Sequence, residues 1–211
     1  MNEDRFSRIG WLSGVLFAVL ELGGFAVGSA AGRANVTLAD PDAKIVKAFA
    51  DPIGSGAWVG AYLEILSLGA FAVFAAWLYR SRRGPLGTTG LIAAAAYVAV
   101  TMVSLLVGDV LEYRAGHGMG PQQILMLFDL QSGLYIASWG IGAAFLLLAP
   151  VKGWLRVSAI VVAAMGLAGM AAPKSDLGQF GAMLFLIWIL VASITMARRP
   201  HVAALARPAA A

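Results

Sequence analysis

Long apolar segments alternate with short polar stretches along this chain, and six of the segments are long enough to cross a bilayer. An α-helix needs about 20 apolar residues to span the hydrocarbon core. The six segments cover residues 9–30, 57–80, 88–112, 122–148, 155–172 and 177–197. The pattern predicts an all-α integral membrane protein, a bundle of six transmembrane helices, with residues 1–198 as a single domain.

The composition supports this prediction. Of the 211 residues, 60% are hydrophobic and only 12% are charged. A soluble domain carries about 25% charged residues, so this chain could not cover itself with polar side chains in water. The lipid bilayer is therefore its predicted partner. The absence of cysteine excludes disulfides and thiolate chemistry.

The first apolar segment must be distinguished from a cleaved signal peptide, because residues 28–30, Gly-Ser-Ala, would make an acceptable cleavage site. The segment is longer than the apolar core of a signal peptide, which has about 7–15 residues, and it contains Glu21. We therefore expect a retained membrane anchor.

The basic residues predict the orientation. With six spans, one side of the membrane would hold both termini and 10 of the 15 lysines and arginines. The side richer in these residues is usually cytoplasmic. We expect a multi-pass protein of the cytoplasmic membrane with both termini inside and residues 199–211 as a disordered cytoplasmic tail. No basic stripe with interleaved aromatic residues is present, so nucleic-acid binding is not predicted.

The longest outer loop, residues 31–56, contains the pattern of a short amphipathic helix at about 41–50. Asp40 and Pro41 resemble an N-cap and a first helical residue. Ile45, Val46 and Phe49 would share one face, which suits a helix lying on the outer surface of the membrane.

Acidic side chains are rare in the predicted spans, and their depth is informative. Glu64 and Asp129 each lie about 10 Å below the outer start of a span, at a rise of about 1.5 Å per residue. Glu21 lies roughly 13 Å from the outer end of the first span. Asp109 and Glu112, on one face of the third span, lie at its outer end. All five acids therefore fall in the outer half of the membrane.

Small and hydroxyl residues accompany the acids within the spans. Gly60 and Ser67 share a helical stripe with Glu64, and such stripes usually pack against other helices. We predict a polar pocket between the first four spans that opens outward. Glu64 and Asp129 are its central carboxylates and Glu21 is a third.

Asp109, Glu112 and His117 are secondary candidates for the same site. His117, in the loop after the third span, could act as a pH-sensitive gate near Glu112, but a histidine among loop glycines is usually just exposed. An all-carboxylate site could hold a hard cation such as Ca²⁺, and the sequence does not fix whether a metal binds.

Two functions remain open. Carboxylates within a membrane can bind a proton or a small cation, with transport as one use of such a site. Alternatively, the protein is a non-catalytic structural or accessory protein whose acids only hold helices together. The many small residues would also allow a homo-oligomer.

Motifs of common enzymes are missing. The chain has only two histidines, no HExxH, no Gly-x-Ser-x-Gly and no Walker A sequence. No lysine lies within a span, which argues against a retinal-type Schiff base. No cofactor is predicted, and an enzyme that uses carboxylates alone stays open without any motif to support it.

The order of features resembles a known group of proteins. GAYLEILSLGAFAVFAAWLYR forms the second span with Glu64, and VGDVLEYRAG closes the third. In this the chain is similar to a broad group of six-span bacterial membrane proteins classed as a domain of unknown function, over most of residues 8–198. The resemblance implies a bacterial inner-membrane protein and assigns no activity and no functional residue.

Overall fold

The computed structural model describes residues 3–50, 53–80, 82 and 84–197, with only the backbone for residues 3–5 and 7. This part of the chain contains seven helices and no strand. They are α1 (Glu3–Ala30), α2 (Asp42–Ala48), α3 (Ser55–Tyr79), α4 (Pro85–Ala115), α5 (Pro121–Leu148), α6 (Trp154–Ala171) and α7 (Leu177–Ala197). The predicted tail at residues 199–211 lies outside the described residues.

Six of these helices, all except α2, are long and apolar enough to cross a membrane. This confirms the prediction of an all-helical, multi-pass membrane protein. Consecutive members of the six run antiparallel, as shown for α1 and α3 by the close approach of Gly24 to Gly60 near one end and of Gly10 to Trp77 near the other. We call the two ends of the bundle the Arg33 end, which carries the loop after α1, and the Arg82 end, which carries the loop after α3.

Glycines allow α1 and α3 to pack closely. A Cβ atom on Gly60 of α3 would lie 2.7 Å from the carbonyl oxygen of Gly24 on α1, so no larger residue fits there. Toward the Arg82 end, Gly14 of α1 lies against Ser193 of α7. Close backbone approach of this kind is typical of membrane helices. The hydrophobic effect does not drive helices together within lipid, so the van der Waals contacts that small residues permit become important.

An aromatic cluster fills the middle of the bundle. The ring centroid of Phe71 lies 5.1 Å from Phe17, 5.0 Å from Tyr97, 5.1 Å from Phe145 and 5.9 Å from Phe185. Such tilted pairs contribute about 0.5–1.5 kcal/mol each beyond burial. We call these five aromatic residues the aromatic floor, because they lie between the polar residues of the Arg33 end and the Arg82 end.

The Arg82 end is closed by hydrogen bonds to the last carbonyls of α5. Arg82 Nη1 donates to the Leu148 carbonyl oxygen at 2.8 Å, and Arg156 Nη1 donates to that of Leu147 at 2.6 Å. Arginine near a helix C-terminus satisfies carbonyls that have no partner within the helix. At this end the arginine side chains therefore pair with main-chain carbonyls, whereas at the opposite end Arg33 pairs with carboxylate side chains.

Helix α2 lies in the loop between α1 and α3 and packs on the ends of α4 and α5. Its anchors, Ile45 and Phe49, are buried against a group formed by Leu111, Ala115, Ile124 and Phe128. This packing holds the loop that carries Arg33 against the bundle.

The start of α2 differs from the sequence-based expectation. Pro41 is extended and precedes the helix, which begins at Asp42. Asp40 instead accepts hydrogen bonds from the Thr37 N–H at 2.8 Å and from Lys44 Nζ at 2.6 Å. The hydrogen bond from Lys44 is the main cause that holds the pKa of Asp40 below its usual value. Asp40 therefore closes the turn before α2 rather than capping the helix.

Candidate binding site

Arg33 reaches the bundle through a tight turn at the end of α1. Gly32 has a φ of 88°, the left-handed conformation that glycine adopts most readily. The Gly32 N–H donates to the Ser29 carbonyl at 3.2 Å and the Arg33 N–H donates to the Gly28 carbonyl at 3.0 Å. This is the Schellman arrangement of a helix C-terminus, and it turns the chain back over α1.

The guanidinium of Arg33 contacts three carboxylates. Its Nη1 lies 2.9 Å from both carboxylate oxygens of Glu64, Nη2 lies 3.1 Å from Asp109 Oδ1, and Nε lies 3.3 Å from Glu112 Oε2. The side chains of Glu64 and Glu112 are only 6% and 7% exposed, and that of Arg33 is 19% exposed. We call these four residues the Arg33 cluster.

The Arg33 cluster joins three parts of the chain. Glu64 comes from α3, and Asp109 and Glu112, at i and i+3, come from one face of α4. Arg33 belongs to the loop that α2 anchors. Burial lowers the pKa of Arg33, but the charges of the three acids outweigh that effect and leave the pKa above its usual value. Arg33 is therefore positively charged at every accessible pH.

Glu21 lies beside this cluster and is held by Ser67. The Ser67 hydroxyl contacts a carboxyl oxygen of Glu21 and also lies 2.6 Å from the main-chain carbonyl oxygen of Glu64. A serine hydroxyl has one proton to donate. Ser67 can therefore donate to only one of these two oxygens, and the other contact needs a proton from elsewhere.

A cavity of about 470 Å³ lies next to these residues. Glu21, Arg33, Glu64 and Gln131 line one part of it, and aromatic side chains from α4, α5 and α7 are among the residues that line the rest. A smaller cavity of about 110 Å³ is lined by Arg33, Asp109 and Glu112. The larger volume is within the range of about 300–1,000 Å³ that is usual for small-molecule sites.

Asp129 does not join the predicted pocket, and this is a correction. The structure places it on the exposed side of α5 and outside the walls of both cavities. Phe128, Gln131 and Ser132 of the same helix line the larger cavity. Successive helical residues differ by about 100° in direction, so the face that carries residues 128, 131 and 132 turns residue 129 away.

His117 also lies apart from the Arg33 cluster. It is exposed, its ring stacks on Tyr113 with the centroids 4.5 Å apart, and its Nδ1 lies 2.6 Å from the Tyr113 carbonyl oxygen. With Nδ1 protonated, the ring donates to that carbonyl. These contacts hold the His117 ring against Tyr113 in the last turn of α4 and give no support to a gate at Glu112.

The predicted acids Glu64, Asp109 and Glu112 do lie together, but around an arginine. Within the described residues, no group of three or more His, Asp or Glu side chains is arranged to hold a metal ion. The guanidinium of Arg33 occupies the space between the three carboxylates, where such an ion would have to lie. Sequence reasoning missed this role of Arg33.

Comparison of the chain with protein-family models, curated proteins and solved structures found no match. The resemblance to six-span bacterial membrane proteins therefore stays a prediction.

Proposed function

We propose that this multi-pass membrane protein binds a proton or a small cation at the carboxyl groups beside its larger cavity, and that the site serves transport. Glu21 and Glu64 are the binding groups in this proposal. Both line the cavity, which would let them exchange with water. Asp109 and Glu112 act indirectly, through their contacts with Arg33.

The contacts of Ser67 carry the proposal. If Ser67 donates its proton to the nearby Glu64 carbonyl, as serine in a helix commonly does, its oxygen can only accept from Glu21. Glu21 must then carry a proton. The reverse arrangement would place two oxygens 2.6 Å apart with no proton between them. Geometry thus favours a protonated Glu21, and a proton held beside a cavity can be exchanged.

The charges of the Arg33 cluster support the same proposal. Three carboxylates surround a single guanidinium, so full ionisation would leave excess negative charge at the edge of the membrane. A charged side chain costs about 2.5–3.5 kcal/mol at the centre of a membrane helix, and less toward the surface. A bound proton or small cation would reduce that excess and stabilise the fold.

The direction of the site is part of the proposal. We infer from the distribution of lysine and arginine that the Arg33 end lies outside the cytoplasm and both termini lie inside. In a bacterial inner membrane, the cavity would then face the periplasmic side.

The test is thermal unfolding of the purified protein in detergent, from about pH 5 to about pH 9, with and without Na⁺, K⁺ and Ca²⁺. A ligand that binds the folded state raises its stability. If the site binds a proton, we expect the unfolding temperature to fall as pH rises, because the proton on Glu21 is lost. If it binds a small cation, we expect one of the three cations to raise the unfolding temperature selectively. Glu21→Gln should remove most of the pH effect, and Glu64→Gln should remove any cation effect.

Asp129→Asn is the matched control, since it neutralises an acid within a span that lies outside the cavity. It should respond to pH and cations as the wild type does. A wild type that responds to no condition, or a pH effect that survives Glu21→Gln unchanged, would contradict the proposal.

A structural role is the second candidate, and the contacts of Arg33 with all three acids favour it. In that role the Arg33 cluster only holds the loop, α3 and α4 together. The wild type, Glu21→Gln and Glu64→Gln would then respond alike to pH and cations, whether or not the variants were less stable overall.

A further inference from the structure

The larger cavity reaches the surface of the bundle between α1 and α7. Leu22 and Phe25 of α1 and Met183 and Leu186 of α7 line it, and Phe25 is 68% exposed. The two helices touch toward the Arg82 end, at Gly14 and Ser193, and toward the Arg33 end residues of both helices line the cavity. A molecule dissolved in lipid would therefore have a path into the cavity from the side.

Aromatic side chains form much of the wall of this cavity. Tyr97, Tyr135 and Trp139 all line it, and the Tyr135 and Trp139 rings are 5.2 Å apart and nearly perpendicular. The faces of such rings attract cations. With Glu21 and Glu64 in the same cavity, the wall combines aromatic faces with carboxyl groups.

Two buried polar groups of the wall lack a hydrogen-bond partner. They are the Thr101 hydroxyl and the Trp139 indole N–H, which find no partner among the described residues. Thr101 and Trp139 are more than nine-tenths buried. Each lies close to a tyrosine hydroxyl of the same wall, that of Tyr97 for Thr101 and that of Tyr135 for Trp139, so the wall carries two polar positions among its apolar side chains.

An anion is the less suitable occupant. Among the residues that the structure describes, Arg33 supplies the only guanidinium in the cavity wall, and it already contacts three carboxylates. Lys174 and Asp176 of the loop between α6 and α7 also line the cavity and offset one another. The remaining unpaired acid is Glu21, which favours a positively charged molecule.

From these observations we propose that the cavity binds a lipophilic organic cation, a molecule with one positive centre and an apolar or aromatic body, that enters from the bilayer between α1 and α7. This rests on the proposed function, because the cation would displace the proton of Glu21. The proton passes to water and the ionised Glu21 carboxylate pairs with the cation, so charge in the cavity is conserved. No covalent bond changes.

The experiment measures binding of tetraphenylphosphonium to the purified full-length protein by equilibrium dialysis and thermal shift. Tetraphenylborate, an anion of nearly the same shape, controls for partition into detergent. We expect saturable binding of the cation and none of the anion, with affinity that falls as pH falls because protons compete for Glu21.

Two variants that should weaken binding, Glu21→Gln and Ala182→Trp, and one control, Asp129→Asn, locate the site. Glu21→Gln should weaken binding of the cation by about tenfold or more, a loss of about 1.4 kcal/mol or more, whereas Asp129→Asn should bind like the wild type. Ala182→Trp, which fills the cavity from α7 without changing charge, should also weaken binding if Glu21→Gln does not fold.

The outcomes separate the two proposals. Equal binding of cation and anion, or binding that neither variant weakens, would overturn the organic-cation site. If stability still depended on pH through Glu21 in that case, the proton site would stand and only the larger ligand would be wrong. If neither dependence were found, both proposals would fall.

Discussion

Arg33 is the residue on which most of the buried charge depends. Its side chain is the shared partner of Glu64, Asp109 and Glu112. Removing one partner from a buried ion pair costs about 3–5 kcal/mol, because the remaining charge stays buried without compensation. Arg33 and Asp109 are partly exposed, at 19% and 14%, so the lower end of that range applies.

We therefore predict that Arg33→Met lowers the free energy of unfolding by about 3 kcal/mol, measured by thermal or denaturant unfolding in detergent. Arg33→Lys should lose less, because it keeps the charge but cannot contact all three acids with a planar fork. Arg114→Met is the control, since Arg114 is an exposed cation at the same end of the bundle. Equal stability of Arg33→Met and Arg114→Met would show that the cluster contributes little.

The acids of the site could be predicted from the sequence because carboxylates within apolar segments are conspicuous. Arg33 could not, since it lies in a loop and hydropathy gives no information about where a loop side chain points. One local signal was present: Gly32 directly follows a helix and precedes Arg33. A glycine at that position reverses the chain, so Arg33 was a candidate for folding back over the helix ends.

At the scale of helices, the contact between α1 and α3 positions Glu64 beside Glu21. Gly24 of α1 faces Glu64 directly, because a Cβ at this position would lie 2.7 Å from Glu64 Cγ and 2.8 Å from the Gly60 carbonyl oxygen. Its neighbour Gly23 has nothing within 4 Å of the same position. Two adjacent glycines in one helix thus differ only in what they face.

This difference leads to a paired prediction. Gly24→Ala should reduce the free energy of unfolding by about 1–3 kcal/mol, because the added methyl group forces α1 and α3 apart. Gly23→Ala should be neutral or slightly stabilising, since alanine forms helices more readily than glycine. Unfolding in detergent measures both. Similar losses for both variants would mean that helix propensity, and not the interhelical contact, governs this region.

The spans themselves follow from the sequence because apolar length is a strong signal. The second span was expected at residues 57–80 and is the helix Ser55–Tyr79. Which face of a helix turns inward is harder to predict, as Asp129 shows. Its neighbours at helical spacing include small and hydroxyl residues, yet a membrane helix can present such residues to either side, since lipid and protein interior are both apolar.

At the scale of the whole molecule, polar groups are divided unequally between the two ends. The Arg33 end carries the Arg33 cluster, Glu21 and the mouth of the cavity. At the Arg82 end, the arginines close the C-terminus of α5 through main-chain carbonyls. The aromatic floor around Phe71 lies between them. A molecule that enters at the Arg33 end would therefore reach these aromatic residues, and passage through the bundle would require them and the arginines beyond them to move.

The lack of cysteine makes the orientation of the bundle directly testable. Lys152, between α5 and α6, and Lys174, between α6 and α7, are both exposed and lie at opposite ends of the bundle. Each substitution leaves the predicted inner side richer in lysine and arginine, by 9 to 5 for Lys152→Cys and by 10 to 4 for Lys174→Cys. A membrane-impermeant maleimide applied to intact cells should label only the Lys174→Cys variant.

Permeabilised cells provide the control, because both variants should then react equally. If only the Lys152→Cys variant were labelled in intact cells, the orientation would be opposite to the predicted one, and the cavity would open to the cytoplasm. The Ser67 contacts and the binding proposals would keep their physical basis in that case, but Glu21 would exchange its proton with the cytoplasmic side. The direction in which a proton or an organic cation enters thus depends on this one measurement.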